Sequence, residues 1–316
     1  MKINPHQSPN KRENGRYFTI NNPFDNKAFY TWTDKSDLIN KTILEPFAGA
    51  NHLIEMLKSM KICNSFKSFD ILPNHADVNY CDTLKKFPTG FDVCVTNPPY
   101  LAQNSAKRRG LYFPDCDYDD LYKFALDKCL QNCDFVAAII PASFLNSGIF
   151  TNRLTTYILL NNKMFSDTDH PVCLALFSPK SDDTEIYYGD EFVGNLKELR
   201  KKMPQTVLGR DISFNDKNGE IGLFAIDNTK QASIRFCKGS DIDSEKICHS
   251  SRSITRISVG SENTKALINK LNQYLSDLRN ETRDVFLTPF KGLRADGMYR
   301  RRLDYGLTRD LINNAF

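Results

Sequence analysis

Asn97-Pro98-Pro99-Tyr100 brings together groups suited to one chemical task. An exocyclic amine on a planar ring becomes a usable nucleophile when acceptors hold both its hydrogens and its lone pair is aimed at an electrophile. Asn97 Oδ1 and the Pro98 carbonyl are two such acceptors, and Tyr100 offers a ring to stack on. The tetrapeptide follows a short apolar, β-branched run at 91–96, which predicts a buried strand. Proline removes a donor, fixes φ and pushes the residue before it out of the helical region. A stiff turn therefore presents these groups at the carboxyl end of a strand, where open α/β sheets hold ligands. Taken alone, the tetrapeptide also fits a plain Asn-Pro turn, and the rest of the chain decides.

Upstream lies Glu45-Pro46-Phe47-Ala48-Gly49-Ala50-Asn51, after the strand-like Thr42-Ile43-Leu44 and before a helical pattern from His52. Gly49 between two alanines permits close approach to the backbone. A dinucleotide fingerprint needs further glycines over a helix N-terminus. Here an acid precedes the turn instead, which repels phosphate and attracts an ammonium group. That favours S-adenosylmethionine over a nicotinamide cofactor. The next strands close on Asp70, followed by Ile71, and on Asp82. An acid ending the second strand suits ribose hydroxyls, Ile71 an adenine face, and Asp82 an adenine amine. Glu45, Asp70, Asp82 and Asn97 thus close successive strands and line one edge of a parallel sheet.

At 316 residues the chain suggests two domains. Its 41% hydrophobic and 25% charged content is that of a soluble protein. Its longest apolar runs fall short of the ~20 residues a membrane span needs, and the polar N-terminus lacks a signal core. Nine scattered cysteines form no CxxC pair, so neither zinc nor disulfides are indicated, and a cytoplasmic location is expected. Residues 196–316 carry 22 Lys+Arg against 15 Asp+Glu, whereas the remainder carries 20 against 23. A near-neutral catalytic unit joined to a basic, polyanion-binding unit is the expectation.

Coarser signals place the elements. A helix capped by Thr33 or Asp34 is predicted near 27–38, and 1–26 is expected to be loosely ordered. Lys107-Arg108-Arg109 reads as a basic loop suited to phosphates. A helix at 119–131, a strand at 135–140, a helix at 151–161 and a final strand at 172–177 follow. The alternation stops in the polar stretch 178–183, which divides the chain into domains 1–185 and 186–316. In the second, 196–203 and 261–278 read as helices and 221–226 and 233–236 as strands. Lys291, Arg294, Arg300, Arg301 and Arg302, with Tyr299, suit phosphate and base-edge contacts.

With these residues assembled, the chain resembles S-adenosylmethionine-dependent adenine-N6 DNA methyltransferases, in particular those with the cofactor motif first and a C-terminal target-recognition domain. Glu45-Pro46-Phe47-Ala48-Gly49 looks like their cofactor motif and Asn97-Pro98-Pro99-Tyr100 like their catalytic motif. Asp70 and Asp82 look like their ribose and adenine contacts. Tyr30-Thr31 is similar to the segment touching the methionine part of the cofactor, 141–145 to the segment closing the strand after the catalytic motif, and Phe165 to the aromatic that stacks on the flipped base. Asn51 departs from the pattern, standing where the family usually has a second glycine.

The resemblance implies a Rossmann-like, doubly wound, mostly parallel seven-stranded sheet with a C-terminal α+β domain. It implies double-stranded DNA as partner, a restriction-modification or phage-type setting, and a cognate endonuclease linked by function rather than by contact. It also implies an adenine flipped between Tyr100 and Phe165, at a cost of a few kcal/mol, with no metal required. RNA adenine methylation, glutamine-N5 protein methylation and a non-catalytic nucleic-acid-binding subunit are the alternatives. Cytosine-N4 enzymes usually carry Ser in place of Asn97, and a nicotinamide oxidoreductase lacks its glycines here.

Overall fold

The computed structural model describes residues 19–166, 168–205, 209, 211–261 and 263–316. Its first compact unit runs to Pro141 and resumes over Gly148–Phe192. Helix α1 (Lys27–Ser36) leads to β1 (Thr42–Glu45), α2 (His52–Ser59), β2 (Ser65–Asp70), β3 (Val78–Tyr80) and β4 (Val93–Thr96). Then come α3 (Gln103–Arg109), α4 (Leu121–Asn132), β5 (Phe135–Pro141), β6 (Leu154–Leu159), β7 (Val172–Phe177), β8 (Glu185–Tyr188) and β9 (Glu191–Asn195).

The strands form one sheet in the order β3-β2-β1-β4-β5-β7-β6-β8-β9. From β3 to β5 all pairings are parallel, and β7 lies antiparallel between β5 and β6. This is the doubly wound, mostly parallel α/β sheet expected, extended to nine strands. Its central strands are buried on both faces, hence their continuous apolar runs. The strand order reverses between β1 and β4, the switch point where such sheets open a ligand crevice.

Three local expectations are corrected. Helix α1 begins earlier than predicted, because the Asn26 side chain accepts from Phe29 N at 2.8 Å and caps it. Lys107-Arg108-Arg109 is not a loop but the last turn of α3, where exposed cations complement the helix dipole. The stretch 151–161 is not a helix: β6 occupies it, its Thr155, Thr156 and Ile158 favouring a strand pressed between β7 and β8. With β8 and the first two residues of β9 added, the first unit extends past the polar stretch 178–183 to Phe192.

The second unit comprises residues 142–147 and 193–316. Its antiparallel sheet has the order β10-β13-β11-β12, from β10 (Ser213–Phe214), β11 (Ile221–Phe224), β12 (Arg235–Lys238) and β13 (Ile254–Ser258). A short helix α5 (Leu196–Arg200) precedes the sheet, and α6 (Thr264–Thr282) follows it. Next come the hairpin β14 (Thr288–Leu293) and β15 (Tyr299–Arg302), and then α7 (Tyr305–Ala315). Leu267, Leu271, Leu275 and Leu278 form the apolar stripe of α6 and share one core with Leu307, Leu311 and Ile312 of α7 and with Leu223 and Ile257 of the sheet.

Candidate active site

A cleft of about 410 Å³ opens at the carboxyl edge of the first unit's sheet. Glu45, Phe47, Gly49, Asp70, Ile71, Asp82 and Asn97 all line it, so the strand-end residues singled out in the sequence meet at one place. The parallel register brings them there: β1 pairs with β2 on one side and β4 on the other, so all three turn their carboxyl ends to the same edge.

Glu45 is almost fully buried. Its Oε1 accepts from Thr96 Oγ1 at 2.7 Å and from Phe47 N at 3.2 Å. Its Oε2 is buried and has no hydrogen-bond partner among the described residues. Burial pushes the carboxyl up to about 8, against the lowering effect of the Thr96 and Phe47 hydrogen bonds. A buried carboxyl oxygen without a partner is costly, and a cationic ligand in the cleft would relieve that cost.

Asp70 organises the turn after β1. Its Oδ2 accepts from Gly49 N at 2.8 Å and its Oδ1 from Leu72 N at 2.8 Å. Gly49 has φ +52, the left-handed region that favours glycine. Asn51 also sits there, at φ +62, a conformation asparagine tolerates better than most residues. Its Oδ1 accepts from Ser68 Oγ of β2 at 2.6 Å, tying the turn to the strand that ends in Asp70. Asn51 thus supplies the backbone shape a second glycine would give. Asp82 is paired with Lys85 at 3.0 Å.

At the Asn97–Tyr100 turn, Tyr100 Oη stands 2.8 Å from Asn97 Oδ1 and 2.7 Å from the Ile139 carbonyl, and its one hydrogen serves both acceptors. Tyr100 meets Phe165 edge-to-face, with centroids 6.0 Å apart and planes at 74°. Two rings that sandwich a base would lie parallel, about 7 Å apart with the base between them. The sequence expectation of such a slot is therefore not met in this state. The rings bury each other's apolar surface, Phe165 is fully buried, and neither lines the cleft.

Other expected residues lie elsewhere. Tyr30 and Thr31 do not line the cleft, because α1 turns Phe29, Trp32 and Thr33 inward and leaves these two exposed. Instead Thr19, His52 and Tyr112 join the lining, and nothing in the sequence marked them. The Thr19 carbonyl sits 2.9 Å from His52 Nδ1. Pro98 does not line the cleft, although its neighbours Asn97 and Pro99 do.

In the second unit Lys291 is exposed, but the neighbouring arginines are largely committed internally. Arg294 pairs with Asp227 at 3.1 Å, Asp284 at 3.5 Å and Asp296 at 2.9 Å. Arg300 Nε donates to the Asp227 carbonyl at 2.6 Å, Arg301 is buried, and Arg302 is half-buried. Arg294 and Arg301 are thus corrected from phosphate contacts to structural groups.

Asp227, fully buried, is the hub of this cluster, also taking both terminal nitrogens of Arg279 at 2.9 Å. Burial pushes its carboxyl up, but Arg279 and the backbone donors of Ser233 and Ile234 more than offset this and hold it at about 2. A depressed carboxylate stabilises the fold above its unfolded value near 4, and that contribution is lost as pH falls toward 2. Asp227→Ala strands buried arginine charge. It is expected to cost about 3–5 kcal/mol and to remove the acid-sensitive step between pH 4 and 2, as read by denaturant melts across pH.

Residues 18–169 match the Eco57I restriction-modification methylase family. The matched segment holds every residue lining the cleft. Among solved structures, the chain is similar to a methyltransferase subunit of the type I restriction-modification system from Streptococcus thermophilus. That likeness has 14% identity and a TM-score of 0.36, over 56% of this chain and 46% of that one. The type IIG restriction endonuclease BpuSI matches with 14% identity and a TM-score of 0.39, over 56% and 27%. A Listeria monocytogenes protein assigned to the class I S-adenosylmethionine-dependent methyltransferases matches with 10% identity and a TM-score of 0.36, over 53% and 67%. The chain thus spans about two thirds of the last and less than half of the other two. No curated protein matches the sequence. Among the described residues, no helix is long and apolar enough to cross a membrane.

Proposed function

We propose that this chain is a site-specific DNA adenine-N6 methyltransferase of the restriction-modification type, using S-adenosylmethionine. The observation that carries this is the placing of Asn97 beside a cleft whose inner wall holds the buried, unsatisfied Glu45 Oε2. The residues fit the cofactor. Glu45 Oε2 suits its ammonium group, the Asp70 carboxylate at the end of the second strand suits ribose hydroxyls, and Ile71, half-exposed at the rim, suits the adenine face. When bound, the cofactor supplies an electrophilic methyl for direct displacement by an amine.

The protein's own part is positioning. Asn97 Oδ1, the acceptor of the Tyr100 hydroxyl, and the Pro98 carbonyl hold the two hydrogens of the target amine. The amine lone pair is then aimed into the cleft, and the rate gain comes from orientation and fixed dipoles. Entry of a base between Tyr100 and Phe165 requires the two rings to part from their edge-to-face contact. In a restriction-modification setting, a cognate endonuclease acts on the same DNA site without contacting this chain.

The test is transfer of labelled methyl to unmethylated genomic DNA, with bulk RNA and a release-factor-like protein in parallel. N6-methyladenine in DNA is the expected product. Label in RNA or protein alone overturns the DNA substrate.

A further inference from the structure

The cations of the second unit differ in their partners. Arg279 and Arg294 are neutralised by Asp227 and Asp284. Arg252 and Arg309 have no ion pair among the described residues, and each lies over an aromatic ring instead. Arg252 sits 5.3 Å from the centroid of Tyr305, and Arg309 sits 5.4 Å from that of Phe214. The two rings are themselves stacked, 4.2 Å apart with planes at 11°. Guanidinium, ring, ring and guanidinium are thus linked in series, assembled from the 248–253 loop, the start of α7, β10 and again α7.

The column is fastened from beneath. Tyr305 Oη is 2.6 Å from the Ser251 carbonyl and 3.1 Å from Asn215 Oδ1. Asn215 Nδ2 donates in turn to the carbonyls of His249 at 3.1 Å and Ser251 at 3.3 Å. Arg252 and Arg309 are both exposed. A guanidinium lying over a ring uses its face and leaves its N–H edge for a planar anionic partner. The three successive distances set the two guanidinium carbons at most about 15 Å apart, comparable to the ~12 Å width of a DNA major groove.

We propose that Arg252 and Arg309, held by Tyr305 and Phe214, are phosphate contacts of a duplex-DNA face in this unit. This rests on DNA being the substrate and supplies contacts that the ion-paired Arg294 and the buried Arg301 of the β14–β15 hairpin do not. Spacing of two outward guanidiniums on a fixed stack suits two backbone phosphates better than a flexible acidic peptide.

The experiment is binding of a labelled random-sequence 30-bp duplex to the full chain, followed by anisotropy over a salt series. For R252Q/R309Q the log–log salt slope is expected to fall by about 2, since each phosphate contact contributes about 0.9. Affinity near 0.1 M salt is then expected to fall by tens of fold. R252K/R309K is expected to keep most of the slope. K201Q/K202Q removes the same charge from residues paired with Glu198 and Glu281 and is expected to change the slope little. An unchanged slope in R252Q/R309Q, or an equal loss in K201Q/K202Q, overturns the proposed contacts while leaving the DNA substrate in place. A wild-type chain that binds RNA hairpins but no duplex overturns the DNA substrate as well.

Discussion

Asn97→Ala is expected to reduce methyl transfer by at least about 10³-fold while leaving cofactor affinity within a few fold. The cofactor's charged end is assigned to Glu45 and its ribose to Asp70, and neither contact passes through the Asn97 side chain. What disappears is an acceptor that fixes an amine hydrogen and so directs the nitrogen lone pair. The Tyr100 hydroxyl, shared between Asn97 Oδ1 and the Ile139 carbonyl, holds that acceptor in place. Tyr100→Phe keeps the ring, so it should lower kcat less, by about 10-fold, the worth of one neutral hydrogen bond. In the double variant the Tyr100 change should add nothing to Asn97→Ala, because the hydroxyl then has no amide to orient. Single-turnover transfer measured beside cofactor titrations separates these cases. Near-full methylation by Asn97→Ala would sink the assignment.

The cleft could be read from the sequence because its chemistry sits where strands end. Glu45 and Asn97 each follow a short apolar run and Asp70 a partly alternating one, and in a parallel sheet such ends share an edge. Position 154–159 misled because Leu154, Tyr157 and Ile158 recur at helical spacing, and only the neighbours on either side of β6 show that both faces are buried. The arginines near 300 resembled a phosphate grip because their partner Asp227 lies 67 residues from Arg294, a distance no local pattern spans. Tyr30 and Thr31 lie outside the cleft lining for the opposite reason. Phe29 and Trp32 outweigh them for the inward face of α1, with Trp32 Nε1 donating to the Phe177 carbonyl at 3.0 Å. Thr19 and Tyr112 carry no signal of their own, since only tertiary folding brings them to the cleft.

Cofactor binding is expected to release a proton near neutral pH. With its carboxyl raised to about 8, Glu45 is mostly protonated in the cofactor-free protein at pH 7. An ammonium group at Oε2 favours the charged form, so the acid ionises as the ligand arrives. Calorimetry at pH 7 in buffers of different ionisation enthalpy should therefore report loss of nearly one proton, falling toward zero above pH 8.5. The same shift acts on the fold with a definite sign. Between about pH 4.5 and 8 the folded chain holds a proton that the unfolded chain has lost, so stability without cofactor falls as pH rises through that window. Glu45→Gln keeps the shape and the neutral charge. It should flatten that pH dependence, abolish proton release and weaken cofactor binding by about 10–100-fold, the worth of a charge-assisted hydrogen bond of roughly 1.5–3 kcal/mol. Equal binding enthalpies in all buffers, together with wild-type affinity in Glu45→Gln, would show that the ammonium group lies elsewhere. Asp70, which raises the Glu45 value slightly by its own charge, would be the next residue to replace.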